Sequence, residues 1–127
     1  MNSTPDNITT LAPNEIFVFG SNLGGRHGAG AALTAKELFG AIQGQGAGLQ
    51  GRSYGIPTKD KWIVTLSLER IAPHIRNFLD FAHARPDLTF LVTRIGCGFA
   101  GYSPVQIKPY FYRATTMPNI ILPKDFQ

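Results

Sequence analysis

Two glycine-rich turns contain the residues of this chain that are best suited to bind a ligand. The first has the sequence GSNLGGRHGAG at 20–30 and follows the apolar run IFVF. The second has the sequence GCGFAGY at 96–102 and follows FLVTRI. A strand that passes through glycines into a helix N-terminus presents unpaired N–H groups and the positive end of a dipole, and both favour phosphate. Two such turns predict a site that holds a diphosphate from two sides, and hence a nucleotide-like ligand.

The period of the apolar residues predicts alternating strands and helices around these turns. Residues 43–51 contain four glycines, which argues against a helix, and 45–50 form either a mobile flap over the ligand or an ordinary surface loop. Residues 62–66 form either a further strand or an edge segment. The order predicts an α/β fold with a mostly parallel sheet covered by helices on both faces. Strands are predicted at 15–19, 53–58, 88–95 and 119–122, and helices at 29–42, at 67–84 with Ser67 as N-cap, and from Ser103 onward.

Composition limits the class of protein. The 127 residues predict one domain at 14–127, preceded by a polar, flexible arm at 1–13. The single cysteine excludes a disulfide framework and a cysteine-rich zinc site, and the three histidines lack the paired spacing of metal ligands. The chain has neither a membrane-spanning run nor an apolar leader, so we expect a cytoplasmic protein with no membrane partner. The net charge of +4 suits an anionic partner, but the cations are scattered, which favours a small phosphorylated ligand over a nucleic-acid groove.

Three stretches of the sequence resemble the macro domain family, whose members bind ADP-ribose. The nearest likeness is to the branch of terminal ADP-ribose–glutamate hydrolases and to small macro-like proteins of bacteria and phages. FVFGSN at 17–22, with GAGAA at 28–32, resembles the family's asparagine-ended strand and first glycine loop. YGIPTK at 54–59 resembles the Ile-Thr-Lys segment of that branch, and RIGCGF at 94–99 resembles its Arg-Ile-Gly-Cys-Gly-Leu motif. The resemblance implies a three-layer sandwich.

The resemblance also implies roles for particular residues. Asn22 would approach the distal ribose, residues 28–31 would line the ribose and phosphates, and residues 96–101 would wrap the diphosphate. Lys59 would take the place of that branch's catalytic lysine, which attacks the anomeric carbon of the distal ribose. A neutral amine is a good nucleophile for such an acetal-like carbon. The aspartate that follows the last motif in that branch is Ala100 here. The ligand-binding residues implied are Ser21, Asn22, Leu23, His27, Gly28, Ala29, Gly30, Ala31, Thr58, Gly96, Cys97, Gly98, Phe99, Ala100, Gly101 and Tyr102.

Other interpretations of single residues remain open. Phe99 and Tyr102 either stack on a base or ribose or simply pack the loop. Cys97, a lone cysteine between glycines, is more typical of a small buried filler than of a nucleophile. Asp60, beside Lys59, is a conceivable substitute for the missing acid, although neighbours in a strand point to opposite faces.

Three functions follow from these interpretations. The main expectation is a module that binds ADP-ribose or a related NAD-derived nucleotide, with no metal and no cofactor. The second is a hydrolase that removes ADP-ribose from protein or nucleic-acid adducts, through either Lys59 or a substrate-assisted water. The third is a nucleic-acid-binding or interaction domain that uses its basic surface.

Overall fold

The chain alternates strands and helices, which confirms the predicted α/β class. A computed structural model describes residues 2–127; Met1 of the predicted arm lies outside the described residues. The strands are β1 (Glu15–Asn22), β2 (Gly48–Gln50), β3 (Ser53–Lys59), β4 (Thr89–Val92) and β5 (Ile120–Ile121). The α-helices are α1 (Gly30–Leu38), α2 (Leu68–His83) and α3 (Pro104–Ile107), and 3-10 helices span Lys108–Thr116 and Lys124–Phe126.

The five strands form one mixed sheet in the order β2-β3-β1-β4-β5. Three neighbouring pairs are parallel, and only β2 and β3 are antiparallel. The chain leaves β1 for β3 on one side and later returns to pair β4 on the other. This reversal creates a topological switch point beside β1, and in open α/β sheets ligands bind beyond the carboxyl ends of the strands at such a point.

The side chains of β1 alternate between two hydrophobic clusters, as the period of two in a strand requires. Ile16 and Val18 pack in one cluster with the buried residues of α2. Phe17 and Phe19 pack in the other with Ala32 and Ala35 of α1. The central strand is therefore fixed by apolar contacts of both alternating sets of side chains.

Helix α2 matches its prediction closely. The Ser67 hydroxyl accepts a hydrogen bond from the Arg70 N–H at 3.3 Å, which satisfies one of the N–H groups that an uncapped helix leaves free. One face of the helix is apolar and is buried along its whole length. Its members are Ile71, Ile75, Phe78, Leu79 and Ala82.

Two other elements are shorter than predicted. Helix α1 stops at Leu38 rather than at residue 42, since Gly40 has a left-handed φ of +75° at the position that follows the C-cap. Strand β4 stops at Val92, and the chain turns before Gly96, whose φ is +77°. Residues 62–66 form no further strand; only Thr65 makes an isolated bridge, to Lys59.

The glycine-rich segment at 43–51 contains a strand that the sequence did not predict. Gly48–Gln50 pairs with β3 as an edge strand, and Gly51, with a φ of +58°, lies in the tight turn between them. The glycines here allow a close backbone approach rather than a loose loop. A Cβ on Gly46 would overlap the carbonyl oxygen of Asn22. A Cβ on Gly55 would overlap the carbonyl oxygen of Gly46.

The N-terminal segment packs against the sheet at two points. The Thr4 N–H donates to the Leu122 carbonyl at 2.9 Å, and the Thr4 hydroxyl donates to that of Ile121 at 2.9 Å. Ile8 is buried in the cluster that contains Phe17. The flexibility predicted for this arm stays a prediction. No helix within residues 2–127 is both long enough and apolar enough to cross a bilayer.

Candidate functional site

A cleft of about 880 Å³ opens where β1, β3 and β4 end. Ser21 and Asn22 reach it from β1, Thr58 and Lys59 from β3, and Thr93 follows β4. These strands are parallel, so their carboxyl ends meet at one edge of the sheet. The cleft therefore lies at the switch point beside β1.

Helix α1 begins at this cleft without a capping side chain. Its N-cap residue, Ala29, has no side-chain acceptor to offer, and the first turn contains no acidic residue. Within residues 2–127, the N–H groups of Gly28, Ala29 and Gly30 donate no hydrogen bond. Free N–H groups and the positive end of the helix dipole together attract an anion.

Asn22 closes the loop that leads to this helix. Its Nδ2 donates to the Arg26 carbonyl at 2.9 Å, and its Oδ1 accepts from the Arg26 N–H at 2.9 Å. The side chain lines the cleft, but its residue is only 6% exposed. Asn22 thus holds the loop, and the contact with a ligand ribose stays a prediction.

The second glycine turn forms another wall of the cleft. Gly96 has a left-handed φ of +77°, which favours glycine, and a Cβ there would lie 2.9 Å from Ile107 Cδ1, so that side chain would have to shift. The Gly101 N–H donates to the Gly98 carbonyl at 3.0 Å and tightens the turn. The N–H groups of Gly98, Phe99 and Ala100 donate to no acceptor in the described part of the chain. This wall also presents free donors.

The two glycine turns are in contact. Gly30 has a φ of +60°, and a Cβ at this residue would lie 3.0 Å from Cε2 of the Phe99 ring. The ammonium of Lys59 lies 5.7 Å from the centroid of the same ring, within the range of a cation–π interaction. Phe99 is nevertheless 74% exposed. The ring therefore joins the two turns and Lys59 at the mouth of the cleft.

The fold gathers cations that are scattered in the sequence. Arg26, Lys59 and Arg94 all line the cleft. Arg94 pairs with Asp125 at 2.9 Å, on the exposed side of the site. Among the acidic residues within 2–127, only Asp6 lines the cleft. The side chains around the site therefore favour a negatively charged ligand.

The amine of Lys59 has no carboxylate partner at the predicted position. Ala100 lines the cleft, and its carbonyl accepts from the Thr65 hydroxyl at 3.1 Å. The Asp60 carboxylate does not line the cleft and is occupied elsewhere. Its Oδ1 accepts from the N–H groups of Trp62, at 2.8 Å, and Val64, at 3.0 Å.

Most of the predicted site residues meet at this cleft, and four do not line it. Tyr102 packs beside the second turn and donates its hydroxyl to the Leu66 carbonyl at 2.6 Å. Gly101 lies in the turn, and Leu23 is exposed outside the cleft. The fourth is His27. Those that line the cleft are Ser21, Asn22, Gly28, Ala29, Gly30, Ala31, Thr58, Lys59, Gly96, Cys97, Gly98, Phe99 and Ala100.

His27 is fully buried behind the first turn. Its Nε2 lies 2.9 Å from the Gln45 carbonyl and 3.2 Å from Gln50 Oε1, and both of these groups accept, so Nε2 carries the proton. The ring packs edge-on against Phe19. Nδ1 has no hydrogen-bond partner in the described residues. His27 thus joins the first turn to the segment before β2.

Several residues that line the cleft were not among the predicted site residues. The segment 4–8 reaches it because the N-terminal arm packs beside β5. Arg26 and Arg94 could have been suspected, since each lies in or next to a glycine turn. Ile63 enters from the turn after β3, and nothing in its sequence context pointed to a ligand. None of residues 45–50 lines the cleft.

The turn that carries Ile63 is strained. Ile63 has a φ of +67°, a left-handed conformation that is rare for a β-branched residue, and no other non-glycine within 2–127 has a positive φ. The Asp60 carboxylate holds the turn through its two N–H contacts. Strain of this kind persists only where the surroundings enforce it, and it is concentrated at functional sites.

The thiol of Cys97 is suited to packing rather than to attack. Burial raises its pKa, and the nearby Arg94 offsets this only in part. Sγ lies 3.5 Å from the Ile95 carbonyl, to which it donates. Within residues 2–127, no cluster of three or more histidine, cysteine and acidic side chains is arranged to hold a metal ion.

Comparisons of the chain with protein-family models, with curated proteins and with solved structures find no match.

Replacing Ile63 by glycine should stabilise the protein. Relief of the left-handed conformation, about 1–2 kcal/mol, exceeds the entropic cost of a glycine, about 0.5–1 kcal/mol. We expect a gain of about 0.5–1 kcal/mol, or a rise of a few degrees in Tm, by thermal unfolding. The matched control is Val64→Gly, because Val64 is more exposed and has no positive φ. Val64→Gly should lose stability, and a loss in Ile63→Gly at least as large as that in Val64→Gly would contradict the strain.

Cys97 should react slowly with alkylating reagents. Its raised pKa leaves less thiolate than a free cysteine has at any pH below the usual thiol pKa, and the thiolate is the reactive form. We expect iodoacetamide to label the native protein more slowly than the urea-unfolded chain at pH 7, with a rate that is still rising at pH 9. A native rate that levels off near neutral pH would identify an activated thiolate instead.

Proposed function

We propose that the cleft binds ADP-ribose or a related NAD-derived nucleotide, either free or as an ADP-ribosyl adduct. The observation that carries this proposal is the pair of glycine turns whose free N–H groups border one cleft. One set comprises residues 28–30 at the start of α1, and the other comprises residues 98–100. Donors on two walls suit a diphosphate, since each wall can take one phosphate.

The size and charge of the cleft support a ligand of this class. Its volume of about 880 Å³ lies in the upper part of the range for small-molecule sites, about 300–1,000 Å³, and suits a dinucleotide-sized ligand. The three cations that line it, Arg26, Lys59 and Arg94, would compensate the phosphate charge. The apolar face of Phe99 at the mouth offers a surface for a base or ribose.

The proposal extends to the architecture and the setting of the protein. We take the fold to be a three-layer macro-like sandwich, with helices on both faces of the sheet; the two clusters that share β1 support this arrangement. We place the protein in the cytoplasm, without a membrane partner, metal or cofactor. Its macromolecular partner would be an ADP-ribosylated protein or nucleic acid.

ADP-ribose should bind, and AMP should bind at least roughly tenfold more weakly, because AMP lacks the second phosphate and the distal ribose. At a hundred times its dissociation constant, ADP-ribose should stabilise the protein by about 2.7 kcal/mol. Gly98→Val and Gly28→Val should abolish this effect. A Cβ at either glycine meets no atom within 4 Å, so the fold tolerates the side chain while the cleft is blocked. Calorimetry and thermal shift measure both results.

Ala47→Val is the control for these variants, since Ala47 is exposed and lies outside the cleft. It should bind ADP-ribose as the unmodified chain does. Equal affinity for ADP-ribose and AMP, or full binding by Gly98→Val, would refute the diphosphate site.

Hydrolysis of an ADP-ribosyl bond is the second candidate function. It is favoured by Lys59, whose amine lines the same cleft at the end of β3. Two features oppose it. The position of the acid is Ala100, and the Asp60 carboxylate is bound to the turn.

We therefore expect Lys59→Ala to weaken binding of ADP-ribose more than it lowers any turnover. The assay is release of ADP-ribose from a glutamate-linked protein conjugate by the unmodified chain, Lys59→Ala and Ala100→Asp. Turnover that appears or rises in Ala100→Asp would indicate that only the acid is missing. Rapid release by the unmodified chain that is lost in Lys59→Ala, with binding intact, would instead make this protein an enzyme.

A further inference from the structure

The turn at 60–64 exposes an unusual set of apolar side chains beside the cleft. Trp62 is 69% exposed and Val64 is 60% exposed. Ile63 belongs both to this turn and to the cleft lining. The Thr65 hydroxyl ties the end of the turn to the Ala100 carbonyl, so the turn adjoins the second glycine turn and its exposed Phe99. A ligand that leaves the cleft on this side would pass over these side chains.

Both exposed aromatic rings of this rim are paired with a lysine. The Lys61 ammonium lies 4.4 Å from the centroid of the Trp62 ring, and that of Lys59 lies 5.7 Å from Phe99. The single carboxylate of the turn, on Asp60, is occupied by two backbone N–H groups. The rim therefore combines flat apolar surfaces with positive charge.

We propose that this rim, made by Lys61, Trp62 and Ile63 together with Lys59 and Phe99, binds a single-stranded nucleic acid. Aromatic rings that stack on bases, next to cations that contact the backbone, are the means by which proteins hold single strands. The charge of the rim complements a polyanion. An acidic peptide would satisfy the lysines but would leave the ring face that points away from each lysine without a partner, so the rings favour the nucleic acid.

The inference rests on the proposed function, because it identifies the macromolecule that carries the ADP-ribosyl group in the cleft. A strand attached at the distal ribose would leave the cleft and cross the rim. The fixed backbone of the turn at 60–64 suits the binding of a strand that crosses the rim. The Asp60 carboxylate holds the backbone N–H groups of Trp62 and Val64, so the backbone of the turn does not have to be ordered when the strand binds.

The experiment uses Trp62 as its own reporter, since it is the only tryptophan in the chain. The full-length protein is titrated with a short, unmodified oligothymidylate and with an abasic deoxyribose-phosphate oligomer of equal length. We expect the oligothymidylate to quench the fluorescence and to bind roughly tenfold or more tightly than the abasic oligomer. The affinity should fall with salt with a log–log slope of about −1.4, the value for two phosphate contacts.

Trp62→Leu tests the stacking directly. Fluorescence anisotropy of a labelled oligonucleotide should show a loss of roughly tenfold or more in affinity, whereas the thermal shift with free ADP-ribose stays unchanged. The control is Tyr112→Leu, which removes an equally exposed aromatic ring far along the chain, outside the cleft lining. It should bind the oligonucleotide normally.

Three results would overturn the inference. They are equal binding of the abasic oligomer without quenching, full oligonucleotide affinity in Trp62→Leu, and binding of a polyglutamate peptide as tight as that of the oligonucleotide. In each of them, ADP-ribose can still stabilise the protein, and the proposed function then stands. Loss of the ADP-ribose effect in the unmodified chain is a separate result that refutes the cleft itself.

Discussion

The site depends on a close packing of backbone against backbone beneath the first glycine turn. The segment before β2 lies so near the end of β1 that side chains would not fit at Gly46 or Gly25. The Ser21 hydroxyl donates to the Gly46 carbonyl, and the buried ring of His27 bonds to the Gln45 carbonyl. With Asn22 closing the loop from above, these contacts hold the turn that leads into α1. The free N–H groups at the start of α1 are therefore presented in a fixed place.

This packing also explains which parts of the fold the sequence could predict. Helix α2 was predicted well because its signals are local: Ser67 caps it, and its apolar residues repeat with the period of a helix. Strand β2 was missed because glycines usually signal flexibility, whereas here they permit contact with residues that are distant in sequence. The end of α1 at Leu38 was readable in principle, since Gly40 is a typical helix stop.

The candidate site was predictable to a similar degree. The glycine turns could be read from the sequence because each follows an apolar strand, and the structure brings them into contact through Gly30 and Phe99. The sequence does not show that Arg26, Lys59 and Arg94 line one cleft, because they lie far apart along the chain and meet only at the ends of the strands. His27 was expected near the ligand because it lies in the turn, but its ring is drawn into the interior by Gln45 and Gln50. Periodicity does not reveal such tertiary hydrogen bonds.

The side chains and free N–H groups that line the cleft differ in number by charge. Donors and cations are plentiful, whereas Asp6 is the one acidic residue of the described chain that lines the cleft. Free N–H donors and cations of this kind favour an anionic ligand. The rim adds exposed rings at Trp62 and Phe99 that the fold does not need for its own core. Apolar surface that stays exposed beside a charged cleft is typical of a surface that a partner covers, which agrees with the proposal of a large anionic ligand.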